Sequence, residues 1–139
     1  MRNFKIFHKG ALSCQLALLL LALLVACSKE LTPTEQAMEA VKENYTNLFD
    51  GRYEAFLKGR VGIDSIPDSY REELLTSYKQ FVIQQKQAHG GINSFVVTNA
   101  KADSTLNIMQ VFLTINYADS MKEEIVVPMV EHNGEWKMK

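Results

Sequence analysis

Few of the side chains that perform chemistry in proteins are spaced for it in this sequence. His89 and His132 lie far apart, and neither is paired at a zinc-ligand spacing. There is no Gly-x-Ser-x-Gly nucleophile elbow and no phosphate-binding glycine loop, and the pair Gly90-Gly91 is typical of a helix end. The sequence therefore predicts no metal site and no cofactor.

The clearest signal is at the start of the chain. Arg2, Lys5 and Lys9 are basic, and ten consecutive apolar residues follow from 16 to 25. A secretory signal has an apolar core of roughly 7–15 residues, whereas a membrane-spanning helix needs about 20. We expect residues 1–26 to be a signal peptide that is removed. The alternative is an uncleaved anchor helix.

The end of this segment, Leu24-Val25-Ala26-Cys27, resembles the lipobox of bacterial lipoproteins. The resemblance implies that the thiol of Cys27 takes a diacylglyceryl group and that cleavage follows on its amino side. Two or more acyl chains anchor firmly, because each buried methylene contributes about 0.8 kcal/mol. Residues 27–31 would form a short lipidated tether. Ser28 resembles the second residue of lipoproteins released to the outer membrane. We therefore expect a lipid anchor in the outer membrane of the cell envelope, with the domain facing the periplasm or the cell surface.

Removal of the signal leaves a small acidic domain. Of 139 residues 113 remain, and the formal net charge changes from −1 to −4, since three of the 15 basic residues and none of the 16 acidic ones are lost. This size suits one domain. An acidic surface argues against nucleic acid, which requires a basic patch. With Cys14 removed and Cys27 lipidated, no disulfide is expected.

Three helices are predicted after the tether. Thr32-Pro33-Thr34-Glu35 is a capping box, and apolar residues follow at helical spacing until Gly51. A short helix covers 53–58. The third begins near 67–69, where Ser69-x-x-Glu72 is a second capping box, and ends at Gly90-Gly91.

The rest of the chain is predicted to form strands. Four are expected: 92–101, 106–117, 123–132 and 135–138, the last after an Asn133-Gly134 hairpin turn. The second strand has a continuous apolar face that helices must cover, and Pro128 favours an edge or a bulge. Residues 32–139 are thus predicted to be an α+β domain. Its three helices pack in the concave face of a curved four-stranded antiparallel sheet.

Three segments together resemble small lipoproteins of the nuclear transport factor 2-like (NTF2-like, or cystatin-like) superfamily, in particular its domain-of-unknown-function branch. They are Pro33-Thr34-Glu35-Gln36-Ala37, Asp50-Gly51-Arg52-Tyr53-Glu54-Ala55-Phe56, and Val127-Pro128-Met129-Val130 with Asn133-Gly134-Glu135-Trp136-Lys137. The resemblance implies a cone, often with a pocket at its open end. Some members, such as ketosteroid isomerases and polyketide cyclases, are enzymes, and others are binding or structural modules.

Isomerase chemistry in such a pocket requires an inward carboxylate with a raised pKa or an oxyanion partner. The inward face of the long strand carries no acid, and Asp50, Asp103 and Glu131 lie at element ends. The candidate pocket-lining residues, which could equally be core, are Tyr45, Tyr53, Tyr78 and Trp136. We therefore expect a non-catalytic envelope lipoprotein that binds a ligand or a protein. The alternative is a small pocket enzyme of the isomerase or cyclase type.

Four of the five aspartates precede serine. Three of these pairs resemble the Asp-Ser/Thr-aliphatic acceptors of a bacterial O-glycosylation system, which makes Ser65, Ser104 and Ser120 candidate modification sites. The same pair is also ordinary turn chemistry, and both interpretations stay open.

The outer face of the sheet is expected to carry an apolar patch. It comprises Ile108, Phe112, Val126 and Val130. Contiguous exposed apolar surface is typical of a contact site, so we expect a homodimer or a protein partner there.

Overall fold

The computed structural model describes residues 30–139. The predicted signal peptide at 1–26, the lipid-attachment residue Cys27 and the tether up to residue 29 lie outside the described residues. Within the described part, every helix is too short or too polar to cross a bilayer.

Within residues 30–139, three helices precede the sheet. They are α1 (Pro33–Phe49), α2 (Tyr53–Lys58) and α3 (Asp68–His89), with a 3-10 turn at Ile63–Ser65 before α3. The capping box of α1 is confirmed. The Thr32 hydroxyl accepts from the Glu35 N–H at 3.2 Å, and the Glu35 carboxylate accepts from the Thr32 N–H at 2.8 Å, so two otherwise orphaned donors are satisfied.

The start of α3 differs from the prediction. Pro67 is its N-cap, and no side chain caps the helix. Ser69 already lies inside the first turn, where its hydroxyl is past the capping position. The predicted capping box at Ser69 is therefore wrong. The end is as predicted, with Gly90 in the left-handed conformation at φ 76°.

Four antiparallel strands form one sheet in the order β1-β2-β3-β4. They are β1 (Ile92–Asp103), β2 (Ile108–Tyr117), β3 (Lys122–His132) and β4 (Glu135–Met138). Every odd-numbered residue of β2 from Met109 to Tyr117 is buried, and every even-numbered one is partly exposed. The helices cover the odd face, and the predicted α+β fold is confirmed.

The irregular positions of the sheet lie in β1. Register shifts against β2 fall between Ile92 and Ser94 and between Val97 and Asn99. Bulges of this kind bend and twist a strand, and they supply curvature on the strand that borders the helices.

Pro128 sits in regular register opposite Gln110, so the predicted bulge there is wrong. Its carbonyl accepts from the Lys139 N–H at 2.9 Å. The nitrogen of Pro128 therefore also points away from β2, and its missing N–H removes no hydrogen bond from the β2–β3 ladder.

The core lies between α1, α2 and the concave sheet face. Its largest fully buried side chains are Leu57, Leu113, Ile115, Met129, Val41 and Val111. Burial of each contributes roughly 1.5–3 kcal/mol. No residue of α3 is fully buried, and Tyr70 is 48% exposed. Helix α3, the longest in the described part of the chain, therefore covers the core with side chains that stay partly exposed.

The carboxyl end of β4 forms hydrogen bonds with the loop after α2. Met138 donates its N–H to the Gly59 carbonyl at 2.8 Å, and its own carbonyl accepts from the Val61 N–H at 2.9 Å. Arg60 and Met138 thus form a parallel bridge. These hydrogen bonds hold the loop after α2 against the end of β4.

Candidate functional site

Aromatic rings fill the space between the helices and the concave sheet face. The ring of Tyr45 meets Phe56 edge-on at 5.6 Å between centroids, and Phe56 meets Tyr78 edge-on at 4.8 Å. Such T-shaped pairs are favourable beyond the area that they bury. Tyr45, Tyr53 and Tyr78, three of the four predicted pocket-lining residues, pack against this core.

Two tyrosine hydroxyls lie in this interior. Burial raises the pKa of Tyr45 to about 12, with a smaller opposing effect of the Arg60 guanidinium, so this phenol stays protonated at neutral pH. The Tyr78 hydroxyl is buried and lacks a hydrogen-bond partner. Among residues 30–139 no carboxylate is buried.

An open cavity of about 910 Å³ lies on the outer side of α1, facing α2 and β4. We call it the groove. Its walls include Glu43, Asn47, Arg52, Lys58, Trp136 and Lys137. Trp136, the fourth predicted pocket residue, lines this outer groove and also packs partly against the core. This cavity therefore lies on the outer side of the cone.

Asn44 forms part of the groove wall and is only 8% exposed. It is the one polar residue in the buried class among residues 30–139. Its carboxamide packs against Gly59, where a Cβ would overlap it. Its position is therefore fixed by close packing between α1 and the end of α2.

The charges at the groove rim are largely paired with each other. Lys137 contacts the Glu135 carboxylate at 2.8 Å, which lowers the pKa of Glu135, and also reaches the Lys58 carbonyl at 3.4 Å. Arg52 donates to the Asn47 side chain at 2.8 Å and contacts Asp50 at 3.0 Å. Exposed pairs of this kind contribute little to stability. They give the groove a polar rim of nearly balanced charge.

A second polar cluster joins the end of α3 to the β2–β3 turn. His89 Nδ1 lies 2.7 Å from Asp119 Oδ2, and this hydrogen bond lowers the pKa of Asp119. The imidazole stacks on Tyr117 at 4.5 Å. Desolvation, reinforced by a 2.6 Å hydrogen bond to Glu123, raises the pKa of Tyr117 to about 12. The Asp119 N–H also donates to the His89 carbonyl at 3.1 Å. These two hydrogen bonds join the end of α3 to the β2–β3 turn, and we call the pair His89 and Asp119 the clasp.

Metal ligands do not gather in this cluster or elsewhere in the described chain. Within residues 30–139 no three histidine, cysteine, aspartate or glutamate side chains come together as a cation site.

The three candidate glycosylation serines lie at separate exposed turns. Ser65 donates to the Gly62 carbonyl at 3.1 Å, Ser104 is in the β1–β2 turn, and Ser120 is in the β2–β3 turn with φ 72°. Their hydroxyls are on the surface, as ordinary turn residues are. Their modification stays a prediction.

The outer sheet face brings the predicted patch residues to one side. Phe112 and Val126 are direct cross-strand partners, and Val126 is 48% exposed. Ile108 and Val130 are partly exposed on the same face. Val96 on β1, 49% exposed, lies opposite Thr114 and extends the apolar surface.

Sequence reasoning missed Asn44 and Gly59. The buried stripe of α1 is Ala37, Val41, Asn44 and Leu48. An asparagine within an otherwise apolar stripe is the signal that could have identified the first. The partner glycine could not be identified, because only the tertiary fold brings the two together.

No family model matches this sequence, and no curated protein matches it. Among solved structures, the chain is similar to a Campylobacter jejuni protein described as a proposed NTF2-like transpeptidase. The two share 8% identity with a TM-score of 0.58, over 72% of this chain and 94% of that one. The resemblance drawn from the sequence is thus supported at the level of the fold, and residues 30–139 have the α+β cone of the NTF2-like proteins.

Proposed function

We propose that this protein is a lipid-anchored envelope protein whose domain binds a ligand or a protein partner through the groove, without catalysis. The observation that carries the proposal is the location of accessible space. Aromatic rings occupy the interior of the cone, and the open cavity of about 910 Å³ lies between α1, α2 and β4. Binding sites are concave surfaces with a few well-placed polar groups, and Asn44 and Trp136 provide such groups here.

The anchoring half of the proposal rests on the sequence. The apolar run from 16 to 25 and the lipobox ending at Cys27 support export, cleavage and acylation. α1 begins at residue 33, six positions after the cysteine. A tether this short would hold the groove near the bilayer, in the outer membrane by the resemblance of Ser28.

The outer face of the sheet supports a second contact. The pairing of Phe112 with Val126 creates an apolar surface that extends to Val96. We propose that a second copy of this chain or another protein covers it, since contiguous apolar surface favours association.

Site-specific photo-crosslinking in intact cells tests the groove. A photoreactive amino acid replaces Lys42 at the groove rim, or, as the matched control, Lys79 on the exposed side of α3. Mass spectrometry then identifies the adducts, whether small molecules or proteins. We expect one dominant adduct from position 42 that position 79 does not give. Equal adducts from both positions, or none, would contradict the proposal.

A further inference from the structure

We propose that the groove binds an extended polypeptide segment of a partner protein. The segment adds as a short strand beside Trp136, and one of its peptide groups hydrogen bonds with the Asn44 carboxamide. This inference rests on the proposed function, because it names the ligand class of the same groove.

The first observation is the direction of the main-chain groups of β4. Lys139 bonds back to Pro128 of β3, whereas Met138 turns its N–H and C=O to Gly59 and Val61. Alternate residues of a strand present these groups to opposite sides. Trp136, two residues before Met138, therefore directs its N–H and C=O away from β3, and neither has a partner among residues 30–139.

The second observation is that this edge already accepts an extended segment. Arg60 bridges to Met138 in parallel. The preceding residues, 53–58, are helical, so they do not continue the strand to Trp136. A strand position is left open there, and the residues around it line the groove. Addition of a peptide to an exposed sheet edge is a general mode of recognition.

The third observation is the Asn44 carboxamide. The side chain is 8% exposed, yet within the described chain it makes no hydrogen bond. A carboxamide offers a donor and an acceptor in the arrangement of a peptide group. The carboxamide atoms are not closed off from solvent, and Asn44 forms part of the groove wall, so the group is available to a ligand. A bound main chain would satisfy both of its functions.

The rim charges favour a peptide over a polyanion. Glu43 and Lys58 have opposite signs and no ion-pair partner in the described chain. Polyanions require a surface of one sign. A segment that carries both an acidic and a basic side chain fits this rim better.

The test uses the full-length lipoprotein in detergent and a phage-displayed library of random linear dodecapeptides. Trp136 is the only tryptophan, so its fluorescence reports occupancy of the groove directly. The selected peptide is synthesised unmodified and with a single backbone N-methyl group at each position in turn, which removes one N–H donor and leaves the side chains intact. Chitohexaose is the parallel probe for a glycan ligand.

We expect the unmodified peptide to shift Trp136 fluorescence. One or two of the N-methyl positions should weaken binding by about tenfold or more, the effect of losing one buried hydrogen bond. Asn44→Leu should weaken it similarly, and the matched exposed variant Asn93→Leu should not. Asn44→Ala serves if the leucine variant does not fold.

Three results would overturn the inference: peptides that bind Asn44→Leu as well as wild type, N-methylation without effect at every position, or fluorescence that responds only to chitohexaose or to neither probe. A dominant adduct at residue 42 alongside any of these results would leave the groove as the binding site and remove only the peptide as its ligand. Loss of both the peptide effects and the dominant adduct at residue 42 would contradict the proposed function as well.

Discussion

The carboxamide of Asn44 occupies the space that a Cβ on Gly59 would take. The backbone of Gly59 has φ −72°, in the right-handed helical region, so any residue could adopt its conformation. The glycine is therefore required by packing alone. This contact fixes both the wall of the groove and the orientation of its buried amide.

Gly59→Ala is expected to destabilise the protein by about 1–3 kcal/mol, the usual range for an overpacked site. Chemical denaturation measures the change. In Asn44→Ala the clash is absent, so the same glycine substitution should then cost much less. Additive effects of the two substitutions would contradict the contact.

Tyr78→Phe is expected to raise the free energy of unfolding by about 1 kcal/mol, because it removes a buried hydroxyl that has no hydrogen-bond partner. Tyr117→Phe is the matched control. It loses the 2.6 Å hydrogen bond to Glu123 and should destabilise by about 1 kcal/mol. A destabilised Tyr78→Phe variant would mean that the hydroxyl has a partner in solution.

The clasp between His89 and Asp119 predicts a pH-dependent effect. The pKa of Asp119 is lowered in the folded protein by its hydrogen bond to His89. Its contribution is therefore present above the ordinary aspartate pKa of about 3.9 and is lost as the pH falls through the lower folded value. Asp119→Asn should lower Tm at pH 7, and this difference in Tm should shrink as the pH falls through the folded pKa of Asp119.

Thermal melts across this range check the clasp, with Asp64→Asn, an exposed aspartate of the 3-10 turn, as control. A Tm difference between wild type and Asp119→Asn that is independent of pH would show that charge on Asp119 plays no part.

Cys27→Ala is expected to abolish labelling by radioactive palmitate and to release the protein from membranes, because the acyl chains are the proposed anchor. Fractionation of cells that express wild type or the variant measures retention. Cys14→Ala is the matched cysteine control and should behave as wild type. Retention of Cys27→Ala without labelling would instead favour an uncleaved apolar helix.

Val126→Lys is expected to weaken any self-association through the outer sheet face, since it places a charge at the centre of the apolar surface beside Phe112. Analytical ultracentrifugation in detergent compares the variant with wild type and with Ile83→Lys on exposed α3. A monomeric wild type at high concentration would exclude the homodimer.

The architecture could be predicted where local signals agree with the fold. The alternation along β2 and the capping box at Thr32 each specify one element, and the structure follows both. The capping box expected at Ser69 was wrong because the N-cap lies two residues earlier, at Pro67, whose extended conformation starts the helix. The bulge expected at Pro128 was wrong because the strand pairing decides which side its nitrogen faces, and the residue type alone does not.

The groove could not be predicted for a different reason. Asn44, Gly59 and Trp136 come from three elements with no shared periodicity, and only packing of α1 and α2 against β4 brings them together. In the same packing Tyr45, Tyr53 and Tyr78, which were candidates for lining a pocket, lie against the core. Aromatic residues at helical spacing have the same pattern in both roles.

The bridge between residues 59–61 and Met138 has a consequence for the order of folding. Contacts across this bridge join residues up to 79 positions apart, and closing such long loops is slow relative to local pairing. The hydrogen bonds that join Gly59 and Val61 to Met138 can form only after residue 138 has been synthesised. A partial chain that ends before β4 would lack Trp136 and Lys137, which line the groove. A purification tag fused after Lys139 would lie beside this bridge, because the Lys139 carbonyl accepts a hydrogen bond from Arg60.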